Sequence, residues 1–292
     1  MTALRRLIIT ADDFGLAEPV NEAIESAHRD GILSSASLMV SAPCWEDAVT
    51  RARRTPTLAV GLHLVLTDGQ PVTDPADLPD LIGSNGHFRR NPVAAGIAMH
   101  RNQAARRQME REVRAQIERF LATGLPLDHI DGHHHIQIHP MVFAALIRLA
   151  PEYRVRALRL PREPSWASWL AMHDRGVARC WSWLAYRGLL RAQERRLRGA
   201  GLICNDWMFG QNDAGRMTPP RLKAMINRMP PGLTELCLHM ATRPWRGPTA
   251  WPADYACVTE YEAMLDPTIA TLLSQRGTER VAFRDLASSL SA

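Results

Sequence analysis

What most constrains the fold of this chain is an alternation running along it, in which short apolar runs of strand character are each followed by a segment of helical periodicity. Leu7–Thr10 precedes a stretch in which Val20, Ala23, Ile24 and Ala27 recur at helical spacing, with Gly31 as its stop. "SASLMVS" (35–41) precedes the helical "WEDAVTRARR". "LAVGLHLVL" (58–66) precedes a Pro/Asp/Gly-rich loop through Pro92 and a long helix at 102–122, whose Met109, Val113, Ile117, Phe120 and Leu121 share a face. Further on, "LPLDHIDGHHH" predicts a strand entering a loop, "PMVFAALIRLA" a helix with Pro140 in its first turn, and "VRALRLP" and "LTELCLHM" (233–240) two more strands. A helix is expected at 260–276. Strands alternating with helices predict a mainly parallel sheet covered on both faces. About seven such units predict an α/β fold of the irregular (β/α) barrel type, one domain over 1–292 with a Trp/Arg-rich helical insertion at about 162–209.

Composition narrows the class. At 292 residues and 46% hydrophobic content the chain can bury a large core. No stretch approaches the roughly 18 apolar residues of a membrane span, and the apolar run after "MTALRR" is too short for a signal peptide. Five cysteines, an odd number with no C-x-x-C pair, suit a reducing compartment, and a cytoplasmic protein is expected. The net charge of +5 is uneven, with much of the excess in residues 175–198, which suggests an anionic partner surface rather than nucleic acid.

The chemistry-bearing residues sit where strands end: Asp12 and Asp13 after the first, His63 within the third, Asp131 and His133–His135 after the next, and His239 near a later one. In parallel α/β architectures the carboxyl ends of strands share one face, where sites are built. Carboxylate with imidazole is donor chemistry for a divalent first-row metal. Two adjacent aspartates can divide labour, one ligating the ion and the other taking a proton from water. Five of the 11 histidines fall within residues 129–139, which makes an unselected surface cluster a poor account of them; His28, His87, His100 and His173 are expected on the surface. No Gly-rich phosphate loop or N-terminal H-x-H supports a phosphoesterase.

Taken together, "TADDFGL" (10–16), "GILSSASLMV" (31–40), "GLHLVLTDGQPV" (61–72), "PLDHIDGHHHIQIHP" (126–140) and "LTELCLHMATR" (233–243) resemble the YdjC-like (ChbG-type) carbohydrate deacetylases, and most closely their hopanoid-associated HpnK branch. The resemblance implies hydrolysis of the N-acetyl group of an acetylated amino sugar around a divalent metal, Mg²⁺ or Zn²⁺, held by Asp13, His63 and His133. It implies Asp12 as general base, His239 as general acid and Arg159 as the residue orienting the carboxylates. The branch implies N-acetylglucosaminyl bacteriohopanepolyol as substrate. Soluble chito-oligosaccharides, or sugar binding without turnover, are the alternatives.

The segment at 162–209, with Trp166, Trp169, Trp181, Trp183 and Tyr186 among arginines, reads either as a helical pair packed over the barrel or as a surface for peripheral contact with the inner membrane face. A homodimer is also expected.

Overall fold

The computed structural model describes residues 4–174, 176–247 and 249–289. In chain order, β1 (Arg5–Phe14) leads to α1 (Glu18–Arg29), β2 (Ser35–Leu38) to α2 (Trp45–Arg54), and β3 (Ala59–Leu64) to α3 (Pro92–Arg101) and α4 (Gln103–Ala122). β4 (Leu127–Gly132) passes through a tight turn at His133–Ile138 into α5 (Pro140–Leu149), followed by α6 (Ser165–Met172) and α7 (Gly176–Gly199). The remainder comprises β5 (Trp207–Phe209), α8 (Pro219–Asn227), β6 (Gly232–Leu238), α9 (Cys257–Leu265), α10 (Pro267–Gln275), β7 (Thr278–Arg280) and α11 (Phe283–Ser289).

The strands pair in the order β4-β3-β2-β1-β6-β5, all parallel. β7 pairs with Arg5–Leu7 of β1, and β2 takes over from Thr10 onward. Helices cover the outside, and every β1 residue from Leu7 to Phe14 is buried, as expected of a central parallel strand. The sheet curls into a half-barrel. Residues 156–162 extend the curl from β4 towards β5 through the bridges Ile130–Leu158 and Ala157–Ile203 and the bond from Met208 N to Arg162 O.

Two of the predicted elements take a different form. "VRALRLP" makes isolated bridges instead of a strand, because at Leu160 a side chain replaces the ladder: Asn205 accepts from Leu160 N at 2.8 Å and donates to Leu160 O at 2.7 Å. The helix expected at 260–276 is two, α9 and α10. Asp266 ends the first, and its carboxylate then caps the second by accepting from Thr268 N, with Pro267 in the first turn. Among the described residues, no helix is long and apolar enough to cross a membrane.

Gly61 of β3 is where the sheet is tightest, since a Cβ there would stand 2.4 Å from the His129 ring on β4. That ring is fixed by Asp128 at 2.8 Å and Ser37 at 3.1 Å. Gly61→Ala is therefore expected to cost about 1–3 kcal/mol through forced displacement of the ring, measured by urea denaturation.

Candidate active site

The site begins with an irregularity at the end of β1. Pairing with β2 shifts register between Ala11 and Phe14, and Asp13 within that bulge has a left-handed backbone (φ 62). Regular strand geometry would send neighbouring side chains to opposite faces, whereas a bulge re-aims one of them. Asp is among the residues that tolerate this conformation. Both carboxylates are thereby buried in one cluster, Asp12 against Arg159 and Asp13 against His63 and His133.

Asp13 Oδ1 lies 3.2 Å from His63 Nε2 and 3.1 Å from His133 Nδ1. His63, buried on β3, is oriented from behind by Asp131 of β4, whose Oδ1 is 2.8 Å from His63 Nδ1. This leaves Nε2 to face the site, the arrangement in which a carboxylate fixes the tautomer of a metal-ligating histidine. Asp131 is itself held by Ser37 Oγ at 2.7 Å. Burial raises the Asp13 carboxyl, but His133 and His63 outweigh it and hold it well below the ordinary carboxylate range.

His133 opens the tight turn after β4, and His134 and His135 follow with consecutive left-handed backbones (φ 53 and 55). For non-glycine residues this costs roughly 1–2 kcal/mol each. The turn sends the three rings to different surroundings. His133 faces Asp13, His134 stacks on His133 with ring centroids 4.0 Å apart, and His135 is turned inward, where burial lowers its imidazole to about 3.

Beneath the site Arg159, fully buried, joins three carboxylates. Its Nη1 is 2.8 Å from Asp12 Oδ2 and 2.5 Å from Asp131 Oδ2, and its Nη2 is 2.8 Å from Glu235 Oε1. Thr10 Oγ1 also donates to Glu235, at 2.7 Å. Cys237 Sγ donates to the same Asp12 oxygen as Arg159, at 3.0 Å, whereas Asp12 Oδ1 is buried without a hydrogen-bond partner. One oxygen of Asp12 is tied down and the other is free to take a proton. Burial and Asp131 push the Asp12 carboxyl up, yet the Arg159 guanidinium and His63 leave it below its usual value.

His239 follows β6. Its backbone N–H donates to Glu260 Oε2 at 2.7 Å, and its ring meets Trp251 and Tyr255 edge-on at 5.7 and 5.8 Å. Burial lowers the His239 imidazole despite the nearby aspartates, and burial raises Glu260 to about 8. Trp251 and Tyr255 come from the 241–256 loop, which carries no strand or helix periodicity. Tyr255 packs so tightly over Gly215 that a Cβ there would lie 2.3 Å from the ring. The Trp251 indole N–H donates to Asp13 Oδ2 at 2.9 Å.

Six site residues expected from sequence thus fall in one cluster: Asp12, Asp13, His63 and Arg159 buried, and His133 and His239 half-buried. Missed were the roles of Asp131, Glu235, Cys237 and Trp251. His28, expected on the surface, is half-buried and bonds Leu33 O and Thr57 Oγ1, each at 2.8 Å. Donor atoms of Asp13, His63 and His133 all lie within 4.8 Å of one another, so the residues present fit a divalent metal: one buried carboxylate oxygen faced by a buried and a half-buried imidazole. Trp251→Phe keeps the ring and removes the N–H that steadies Asp13. About tenfold weaker divalent-ion binding is expected by calorimetric titration, and unchanged affinity would show that the indole does not orient the ligand.

A carbohydrate deacetylase from Geobacillus stearothermophilus is 33% identical over 285 residues, 96% of this chain and 98% of that protein. One from Brevibacillus brevis is 47% identical over 150 residues, which span 51% of this chain and 57% of that protein. In fold, the chain is similar to a protein of Enterococcus faecalis V583 described as a cellobiose-phosphate cleavage protein, with TM-score 0.75 over 97% of this chain and 99% of that one at 21% identity. A family model described as YdjC-like protein matches residues 6–275, from β1 through α10, and the chain therefore belongs to the YdjC-like family.

Proposed function

We propose that this chain is a metal-dependent hydrolase that removes the N-acetyl group of an acetylated amino sugar, releasing acetate and a free amine. The observation carrying this reading is the division of labour in the aspartate pair: Asp13 joins two histidines, while Asp12 keeps one buried oxygen free beside them. The full-length likeness to a carbohydrate deacetylase supports it. Asp13, His63 and His133 would hold the ion, and two imidazoles against one carboxylate favour Zn²⁺ or another first-row ion over Mg²⁺. When bound, such an ion supplies Lewis acidity to an amide carbonyl and makes a water acidic enough to lose a proton near neutrality.

The chain's own residues do the rest. Asp12 Oδ1 accepts the proton of the attacking water, and Arg159 holds Oδ2 so that the carboxylate does not rotate and rests ionised until it takes that proton. His239 offers an atom within 4.8 Å of Asp12, near enough to serve the same reacting group. Lowered by burial, it rests neutral, and the proton it hands to the departing nitrogen is the one Asp12 took from the water. The sugar leaves as an amine, not as an amide anion.

The finer reading of the substrate is an N-acetylglucosamine attached to a hopanoid polyol. It rests on the HpnK-like wording of "GLHLVLTDGQPV", "LRLPREP" and "GLTELCLHMATR". Acetate release from that lipid-linked sugar and from a short acetylated chitin oligomer, assayed side by side, tests both levels. Turnover of the oligomer alone would retire the hopanoid reading, and turnover of neither in metal-replete protein would retire the deacetylase.

A further inference from the structure

The amino-terminal half of α7 stands away from the barrel. Val177, Trp181, Trp183, Leu184 and Tyr186 are all exposed, with Val177 at 75% and Trp181 at 67%, and α6 adds Trp166 and Trp169. A helix this apolar on exposed faces needs a partner. The carboxyl-terminal half behaves differently: Leu190 and Leu197 enter the core, and Gln193 donates to Ile138 O at 2.7 Å, in the turn that begins with His133. The base of the exposed half is anchored as firmly. Arg179 is buried between Glu163 and Asp213 at 2.8 Å each, the first just after the 156–162 extension of the sheet and the second after β5. The patch is therefore rigidly mounted at the same end of the barrel as the Asp13, His63 and His133 cluster.

Charge decides what covers it. From Gly176 to Gln193 there is no Asp or Glu, and Arg187, Arg191 and Arg195 project from α7 with no carboxylate partner among the described residues. The Arg187 guanidinium lies over the Trp183 ring, 4.6 Å from its centroid. A second copy of the chain would bring the same arginines against themselves in a twofold contact, which is repulsive. Trp and Tyr with cations around them are instead matched to the headgroup level of an anionic bilayer. A groove lined by Pro161, Glu163, Trp183, Tyr186 and Trp207 adjoins this patch.

We infer that the exposed face of α6 and α7 docks the protein on anionic lipid, with the mouth of the site held at the membrane surface. This deepens the proposed deacetylase reading by placing its substrate as a sugar presented from a bilayer, but docking is measured independently of turnover. The test is flotation of the full chain with vesicles of phosphatidylcholine alone and of phosphatidylcholine with about one-third phosphatidylserine. The wild type is expected to float with the anionic vesicles. Trp181→Ala/Trp183→Ala should lower the bound fraction about tenfold or more, and Arg187→Glu/Arg191→Glu should abolish the preference for phosphatidylserine. The folding of both variants is checked by circular dichroism. Wild type that stays unbound, or folded variants that bind as well as wild type, would overturn the inference. A concentration-dependent dimer lost in the tryptophan variant without vesicle binding would assign the patch to a second copy. Absence of deacetylation with intact flotation would remove the enzymatic reading and leave the docking surface standing.

Discussion

Asp12→Asn is expected to lower kcat for acetate release by about 10²–10⁴-fold, the range for loss of a positioned general base, while leaving metal content unchanged. The asymmetry follows from geometry. Asp12 contributes no atom to the group formed by Asp13, His63 and His133, and its Oδ2 is engaged by Arg159 and Cys237, so the substitution leaves the ion's donors in place and removes only the free oxygen. An amide at this position cannot take a proton from water. If the two aspartates exchanged roles, the result would invert, with metal lost from Asp12→Asn and retained in Asp13→Asn. Metal analysis of the two purified variants beside steady-state rates distinguishes the assignments.

Arg159→Met is expected to cost stability on the scale of a broken buried ion network, about 3–5 kcal/mol. The guanidinium is fully buried and is the shared partner of Asp12, Asp131 and Glu235, so its removal strands carboxylates where water cannot reach them. Methionine nearly fills the space, which isolates the charge effect from a cavity. The pH dependence has a definite sign. Asp12 and Asp131 titrate below the ordinary value of 3.8 in the folded protein, so the stabilisation they bring is present above that value and is lost as pH falls through their folded values. Without Arg159, burial favours their neutral forms, and the variant instead loses stability as pH rises through the carboxylate range. The gap between the two proteins should accordingly be wide at neutral pH and narrow below about pH 4, as measured by urea denaturation across that range.

Much of the site was legible because its residues break the rules of the elements that carry them. Asp12 and Asp13 end an apolar run, and His63 lies between two leucines of a buried strand. Charges within buried strands require partners, and Arg159 in "ALRLP" and Glu235 in "LTELCL" carry that signal as well. The sequence could not show that they pair with each other across 76 positions. Asp131 was visible in the histidine-rich stretch, but its role depends on the parallel register that sets it opposite His63. Trp251 reaches the site from a loop with no periodicity to place it. The parallel sheet and most of its strands followed from alternation alone, whereas β5 and β7, at three residues each, are too short to leave a pattern. The bulge that turns Asp13 inward lies in the backbone, and the letters "ADDF" do not display it.

In the proposed reading one centre serves as both metal site and hydrolytic site. The most direct test is to purify wild type and His63→Ala, measure divalent metal per chain, and follow acetate release from an acetylated amino sugar before and after chelation and reconstitution. We predict about one ion per wild-type chain, activity that disappears with chelation and returns with Zn²⁺ or a similar ion, and neither metal nor activity in His63→Ala. Full activity in metal-free wild type, or in His63→Ala without bound metal, would contradict it.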